Sequence, residues 1–108
     1  MDAINNVLIN GIKADILEAV PVSEIYLFGS FATGNANKNS DYDFYVVIPD
    51  DSGMREIEAN WAIQKKLRER RTTAIDMLVG TQSKFDRRKE MFYSIENEVA
   101  LTGVKLYG

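Results

Sequence analysis

The first stretch of the chain has apolar residues at the spacing of an amphipathic helix. Apolar residues recur every four positions, at Ile4, Leu8, Ile12 and Ile16, and Val7 lies beside this series. This period places them on one face of a helix. Because Pro21 cannot continue a helix, we expect the helix to end before it. The pattern predicts a first helix that packs one face on a core.

Three later runs combine β-branched and aromatic residues and predict strands. They are residues 24–28 before Gly29, residues 42–48, and residues 73–79 before Gly80, the last with Thr72 in front. Residues 33–40 consist of residue types that favour turns, so we expect a loop between the first two strands. The third run carries a single charge, Asp76, which needs an explanation in a strand of this kind.

A second helix is predicted after the break at residues 49–53. Asp51 or Ser52 can cap its start, and we expect it to reach about Arg70. Two sets of apolar residues share helical faces: Met54, Ile57 and Trp61, and also Ile63 and Leu67. Trp61 could stack on a nucleobase, but its place on an apolar face favours a role in the core.

A last helical pattern runs through Phe92, Ile95 and Val99, before Gly103 and a short tail. The order helix, strand, strand, helix, strand, helix predicts an α/β fold of the α+β kind, with a small mixed β-sheet flanked by helices. The chain has 108 residues and no repeat or low-complexity linker, so residues 1–108 are expected to form one domain.

The composition excludes several kinds of chemistry. The chain has neither cysteine nor histidine, so disulfides, thiolate zinc sites, Cys–His nucleophiles and Ser–His–Asp triads are all unavailable. Carboxylates with hard cations are the chemistry that remains.

Charge and hydropathy limit the cellular location and the binding partners that we expect for the chain. No run approaches the ~18 apolar residues of a membrane span, and no basic residue precedes the first apolar stretch, so we expect a soluble cytoplasmic protein. The net charge of −3 argues against direct nucleic-acid binding. The basic runs within residues 65–71 and 87–89 suit solvated helix ends, although docking to an acidic partner or contact with a phosphate stays open.

Asp41 and Asp43 stand two positions apart at the start of the second predicted strand. Side chains with this spacing point to the same face, so the two carboxylates should lie close together. Their repulsion is relieved by a proton or by a divalent cation with oxygen ligands. Asp76 could complete the cluster if its strand lies beside theirs. Taken alone, Asp-x-Asp could merely end a polar loop, and Asp76 could be a solvent-facing charge on an edge strand.

Gly29 and Ser30 directly follow the first predicted strand. A turn there would present free backbone N–H groups to phosphate oxygens, with the serine hydroxyl as a further donor. Alone the pair would be an ordinary turn. Combined with Asp41, Asp43 and Asp76, it favours a site for phosphoryl transfer, in which two ions roughly 3.5–4 Å apart hold the reacting groups in line.

These motifs resemble the minimal nucleotidyltransferases of the polymerase-beta-like superfamily, whose signature is Gly-Ser, a loop, Asp-x-Asp and an acidic residue on a later strand. The motifs span about residues 25–79, and the resemblance extends over nearly the whole chain. It implies that Asp41 and Asp43 bind two Mg²⁺ ions and that Gly29 and Ser30 hold the triphosphate of ATP. It also implies that Asp76 ligates one ion and activates the acceptor.

The chain departs from the family pattern in the loop after Gly-Ser. Phe31 and Thr33 stand where many relatives carry arginines, and Lys38 or a basic residue of a partner would have to compensate.

The resemblance also implies a partner, since larger relatives bind the acceptor with an additional domain. Minimal members commonly act as antitoxins of a small helical HEPN toxin, often a ribonuclease, by binding it and adenylylating a tyrosine. Two alternatives stay open: a binding module that neutralises its partner without catalysis, and a transferase for a small molecule such as an aminoglycoside. An oligomer with the partner is possible in the first two cases.

Overall fold

A computed structural model of the protein describes residues 6–37, 40–70 and 74–108. The helices and strands are α1 (Asn6–Ala19), β1 (Glu24–Phe28), α2 (Ser30–Thr33), β2 (Tyr42–Ile48), α3 (Glu56–Leu67), β3 (Ile75–Thr81), α4 (Gln82–Arg88), α5 (Ile95–Thr102) and β4 (Val104–Tyr107), with a 3₁₀ turn at Arg68–Arg70. The predicted α/β fold with a small mixed sheet is confirmed. None of the helices described is long and apolar enough to cross a membrane.

The four strands form one sheet in the order β3-β2-β1-β4. β1 is antiparallel to both β2 and β4, whereas β2 and β3 are parallel and are joined by α3. Phe28, at the end of β1, lies opposite Asp43, near the start of β2, and Asp43 lies opposite Asp76, near the start of β3. The ends of three strands therefore meet at one edge of the sheet, which we call the carboxylate edge.

Each face of the sheet has its own hydrophobic core, because the side chains of β2 alternate between the two faces. The larger core lies under α1 and α3 and takes Tyr42, Phe44, Val46 and Ile48 from β2. The smaller core lies under α4 and α5 and takes Tyr45 and Val47, together with Phe85 and Val99 from the helices. Asp43 has the same orientation as Tyr45, so it belongs to the smaller side.

The apolar face of α1 differs from the predicted one. Val7 is exposed, and the buried residues of the helix are Ile9, Ile12, Asp15 and Ile16. At 3.6 residues per turn Val7 lies about 140° around the helix from Ile12, so it falls outside the buried stripe. Asp15 is buried because Arg70 donates to its carboxylate from Nε at 2.7 Å and from Nη2 at 3.3 Å. Ile4 lies outside the described residues.

The predicted cap of α3 is wrong. The helix begins at Glu56 with Arg55 as its N-cap, and the Arg55 N–H donates to Glu58 Oε1 at 2.8 Å. Ser52 instead closes a turn, where its Oγ accepts from the Met54 N–H at 3.1 Å. The helix ends at Leu67, and the 3₁₀ turn continues to Arg70, as predicted.

The predicted core role of Ile57 and Trp61 is also wrong, since these side chains are 50% and 63% exposed. The buried residues of α3 are Ala59, Ile63 and Leu67. The helix covers the sheet beside β3, which is an edge strand, so its second apolar stripe has no further strand beneath it.

The end of the chain contains two helices and a strand where one helix and a tail were predicted. Ser94 caps α5 by accepting from the Asn97 N–H at 2.9 Å, so the apolar pattern through Phe92 is broken and Phe92 lies exposed in the turn before it. The tail pairs with β1 as β4. Gly80 lies within β3 instead of ending it, packed against the Tyr45 hydroxyl. Thr72 and Thr73 lie outside the described residues.

Candidate active site

Asp43 and Asp76 are brought together at the carboxylate edge by the pairing of β2 with β3. They face each other in the parallel register, on the side of the sheet that also carries Tyr45. Asp43 is half-buried and Asp76 is exposed. Their carboxyl groups are in hydrogen-bonding contact, with Asp43 donating to Asp76 when Asp43 is protonated. Two acids 33 positions apart in the sequence thus form one pair.

The environment of Asp43 disfavours its negative charge. Burial makes the largest contribution, followed by the charge and the hydrogen bond of Asp76 and then by the charges of Asp41 and Glu98. Together they raise the pKa of Asp43 from 3.8 to about 6. A proton or a cation at this position relieves the repulsion, as expected of a group that holds a metal ion.

Asp41 lies one residue before β2 begins and is exposed. It is close enough for its charge to act on Asp43, but within the described ranges no three acidic side chains stand at the spacing of a metal site. The pairing of β2 with β3 fixes the directions of the Asp43 and Asp76 side chains, whereas Asp41 lies outside this pairing. The donor set consists of carboxylates, which suits a hard cation such as Mg²⁺. A site with three carboxylates and two ions stays a prediction.

Gly29 links the predicted phosphate loop to the carboxylates. Its φ of 75° and ψ of −153° lie in a region that residues with a side chain rarely adopt. In addition, a Cβ atom at this position would overlap the Oδ2 atom of Asp43. The backbone after β1 therefore passes directly against the Asp43 carboxyl group, which only glycine allows. The Gly-Ser and Asp-x-Asp motifs form one site.

Ser30 begins α2, which is a single helical turn. The Gly29 carbonyl accepts from the N–H groups of Ala32 at 3.1 Å and Thr33 at 3.2 Å, and Gly34 ends the turn in the left-handed conformation. The first N–H groups of a helical turn have no acceptor within it, which leaves those of Ser30 and Phe31 available. The turn thus presents backbone donors beside Asp43.

Phe31 does not replace a phosphate-binding arginine, because it is buried in the larger core. Its ring stacks on that of Tyr42, with the centroids 3.9 Å apart and the planes 10° apart. This contact fixes α2 on the first residue of β2, between Asp41 and Asp43. Thr33 is exposed, and its hydroxyl donates to the Gly29 carbonyl at 3.3 Å. Lys38 lies outside the described residues.

Helix α5 supports the site through contacts that the sequence did not predict. Tyr45 donates from its hydroxyl to Glu96 Oε2 at 2.7 Å, and Arg88 Nε donates to Glu96 Oε1 at 2.9 Å. Burial, together with this bond to Glu96, raises the pKa of Tyr45. The bond joins α5 to the strand that carries Asp43, and Glu98 of the same helix adds its charge to the site. No sequence pattern connects these residues, since Tyr45 and Glu96 are 51 positions apart.

Residues 9–100 match the sequence profile of the family described as nucleotidyltransferase domain. A crystal structure of a toxin–antitoxin with AMP-PNP has a similar fold (TM-score 0.64, 23% identity, 97% of this chain and 74% of that one). A mutant of the toxin–antitoxin MntA-HpeT also has a similar fold, with a TM-score of 0.62 and 22% identity over 92% of this chain and 71% of that one. A presumed nucleotidyltransferase of Sulfolobus solfataricus has a TM-score of 0.59 and 23% identity over 75% of this chain and 70% of that one. No curated protein matches the chain. At these identities the structural neighbours show the fold alone.

Proposed function

The chain belongs to the nucleotidyltransferase domain family, and on this basis we propose that it transfers AMP from ATP to a tyrosine hydroxyl of a HEPN toxin in the cytoplasm, and thereby acts as an antitoxin. One observation carries the proposal: the Gly29 backbone lies directly against Asp43, which is paired with Asp76. A donor-rich turn and a pair of carboxylates at one edge are the two parts that phosphoryl transfer needs.

Gly29 and Ser30 would hold the triphosphate. The backbone N–H groups at the start of α2 supply donors for phosphate oxygens, and the Ser30 hydroxyl supplies another. The tight approach of Gly29 to Asp43 would place these oxygens beside the carboxylates. A similar fold crystallised with AMP-PNP supports a nucleotide as the substrate.

Asp41, Asp43 and Asp76 would hold two Mg²⁺ ions. When bound, the ions would neutralise the negative charge of the carboxylates and of the triphosphate. The raised pKa of Asp43 supports this assignment, because the folded chain holds its negative charge at a cost that a cation relieves.

In the proposed reaction the acceptor oxygen attacks the α-phosphorus of ATP and forms the new O–P bond. The bond from the α-phosphorus to the oxygen bridging to the β-phosphorus breaks, and its electron pair leaves with pyrophosphate. Asp76 takes the acceptor proton. Its exposure on an edge strand supports this role, because an acceptor as large as a protein can reach it.

A toxin as the acceptor is supported by two of the structural neighbours, which are toxin–antitoxin complexes.

The test is to mix the purified chain with Mg²⁺, ATP and the protein encoded by the adjacent gene, and to weigh that protein by intact mass spectrometry. We expect a gain of one or more AMP units. Asp43→Asn should lower the rate by about a thousandfold, which corresponds to about 4 kcal/mol of transition-state stabilisation. Asp51→Asn, an exposed acid after β2, is the matched control and should leave the rate unchanged.

The other outcomes decide between the alternatives. Tight binding of the neighbour without any gain in mass, with every nucleoside triphosphate, would indicate a module that acts by occlusion. Release of pyrophosphate with aminoglycosides but not with the neighbour would indicate a small-molecule transferase.

A further inference from the structure

The turn after β1 contacts the start of β2 on both faces of the sheet. Because side chains alternate along a strand, Tyr42 points into the larger core and Asp43 points to the smaller side. The Gly29 backbone lies against the Asp43 carboxyl group, and the Phe31 ring lies against the Tyr42 ring. Residues 29–31 therefore hold two successive residues of β2 from opposite sides.

The rings of Phe31 and Tyr42 form a close parallel stack. Their centroids are 3.9 Å apart and their planes differ by 10°. Both side chains are buried, with 8% and 6% of their surface exposed. Of the four residues of α2, all of which the structure describes, Phe31 is the only buried one. Its ring is therefore the main side-chain contact that packs α2 on the sheet.

Tyr42 is itself fixed by the sheet. Its N–H donates to the Ala74 carbonyl at 3.0 Å, and it lies opposite Ile75 in the parallel pairing of β2 with β3. Because a close-packed side chain cannot move far without displacing its neighbours, α2 cannot shift while the Tyr42 ring stays in place. The stack thus ties the position of α2 to that of two paired strands.

The hydrogen bonds of the turn join its own residues to one another. The Gly29 carbonyl accepts from the Ala32 N–H at 3.1 Å, and the Ser30 carbonyl accepts from the Asn35 N–H at 3.0 Å. These bonds keep the shape of the turn but do not attach it to β2. The stack of the two rings therefore determines where the turn lies relative to β2.

We propose that Phe31 and Tyr42 are positioning residues: their stack holds the turn assigned to the triphosphate at a fixed distance from the two carboxylates that flank Tyr42. The proposal rests on the proposed function, which assigns the triphosphate to this turn and the ions to these carboxylates. The distance matters because a misplacement of about 1 Å can lower a rate about a hundredfold. Phe31 thus has a role at a position where many relatives carry an arginine.

The test combines a double-mutant cycle with a control from the same core. Phe31→Leu and Tyr42→Leu each remove one ring of the stack and leave an apolar side chain. Phe44→Leu makes a similar change at a fully buried ring of the larger core, two residues further along β2 and about 7 Å from Tyr42 along the strand. Tyr42→Phe keeps both rings.

Binding and transfer are measured separately on the folded variants. Calorimetry gives the affinity for AMP-PNP with Mg²⁺, and transfer to the protein encoded by the adjacent gene gives kcat and the KM for ATP. Phe31→Leu should weaken AMP-PNP binding at least tenfold, raise the KM and lower kcat at least tenfold. Tyr42→Leu should do the same, and the double variant should lose little more than either single one, because each removes the same contact. Tyr42→Phe should match the wild-type chain.

A merely structural role predicts a different result. Phe44→Leu should lower the thermal midpoint at least as much as Phe31→Leu, since Phe44 is the more deeply buried ring. Its folded molecules should nevertheless keep the wild-type affinity, KM and kcat. The proposal is overturned if Phe31→Leu and Phe44→Leu behave alike in binding and transfer, or if the losses of Phe31→Leu and Tyr42→Leu simply add.

The outcomes also separate this proposal from the proposed function. A wild-type chain that binds AMP-PNP but transfers no AMP contradicts the proposed function, while the cycle of binding affinities still decides the role of the stack. A wild-type chain that transfers AMP, with unchanged affinity, KM and kcat in Phe31→Leu, contradicts the positioning role alone. A wild-type chain that binds no nucleotide contradicts both.

Discussion

The two faces of the sheet differ in the kinds of side chain that they carry. Under α1 and α3 the core consists mainly of aliphatic and aromatic side chains such as Phe44, and the buried Asp15 is paired there with Arg70. The face under α4 and α5 also holds Asp43, Tyr45 and the buried Glu96. A single strand, β2, supplies both faces through its alternation. One face therefore provides most of the buried apolar surface, while the other carries the Asp43 and Asp76 carboxyl groups.

This difference shows where the fold can tolerate an unfavourable group. A carboxyl group with a raised pKa reduces the stability of the folded chain at neutral pH. Apolar burial in the larger core offsets that cost, and the Tyr45–Glu96 bond holds the second face in place although that face is less apolar. Three predictions test this division, beginning with the largest expected effect.

Substitutions in the larger core, away from the carboxylate edge, should lower the stability of the fold and leave the transfer rate of the folded molecule unchanged. Ile63 is fully buried, so Ile63→Ala should lower the free energy of unfolding by about 2–5 kcal/mol through lost burial and a cavity. Urea unfolding measures the change, and Ile57→Ala, on the exposed side of the same helix, should stay within about 1 kcal/mol. Equal losses in the two variants would show that the second stripe of α3 is also packed. Transfer per folded molecule should match the wild-type value in Ile63→Ala.

The second face should depend on its buried polar contacts. Glu96→Gln keeps an acceptor for Tyr45 but removes the charge that pairs with Arg88, so we expect a loss of about 1–3 kcal/mol in the free energy of unfolding. Glu98→Gln is the matched control, because it makes the same change at an exposed position of the same helix. If both substitutions have the same small effect, the contact between α5 and β2 does not depend on this charge.

The smallest effect should appear as a pH dependence. The folded chain holds the Asp43 proton up to about pH 6, whereas an unfolded chain loses it near 3.8, so this group's stabilisation falls as pH rises through that window. With EDTA present, the free energy of unfolding should depend on pH differently in wild type and in Asp43→Asn. The difference should amount to about 1 kcal/mol after allowance for partial exposure, with the variant the more stable at pH 7. Parallel curves from pH 4 to 7 would contradict the assignment.

Local patterns were sufficient for β1 and β2 and for the pairing of Asp43 with Asp76, but not for the bounds of β3 or for β4. β1 and β2 were predicted with the bounds that the structure shows, because both runs are almost entirely buried and end at turn-forming residues. Asp76 was singled out because a charge in such a strand is unusual, and the sheet places it opposite Asp43. Both inferences depend only on neighbours along the chain and on strand alternation.

Features that depend on distant residues could not be predicted. The exposure of Trp61 follows from the position of β3 at the edge of the sheet, which helical periodicity does not reveal. The contact of Glu96 with Tyr45 joins parts of the chain with no shared motif. Likewise, Phe31 occupies a position that suggested phosphate binding, and only its stacking on Tyr42 shows that it belongs to the core.

The most direct test of the account is calorimetric titration of AMP-PNP into the purified chain, with Mg²⁺ and then with EDTA, for wild type and Asp43→Asn. If the carboxylate edge is a metal-dependent nucleotide site, the wild-type chain should bind the nucleotide with Mg²⁺ and lose most of that affinity in EDTA or on substitution. Equal affinity in all four titrations would show that the nucleotide binds elsewhere. The absence of binding under every condition would contradict a nucleotide site at this edge.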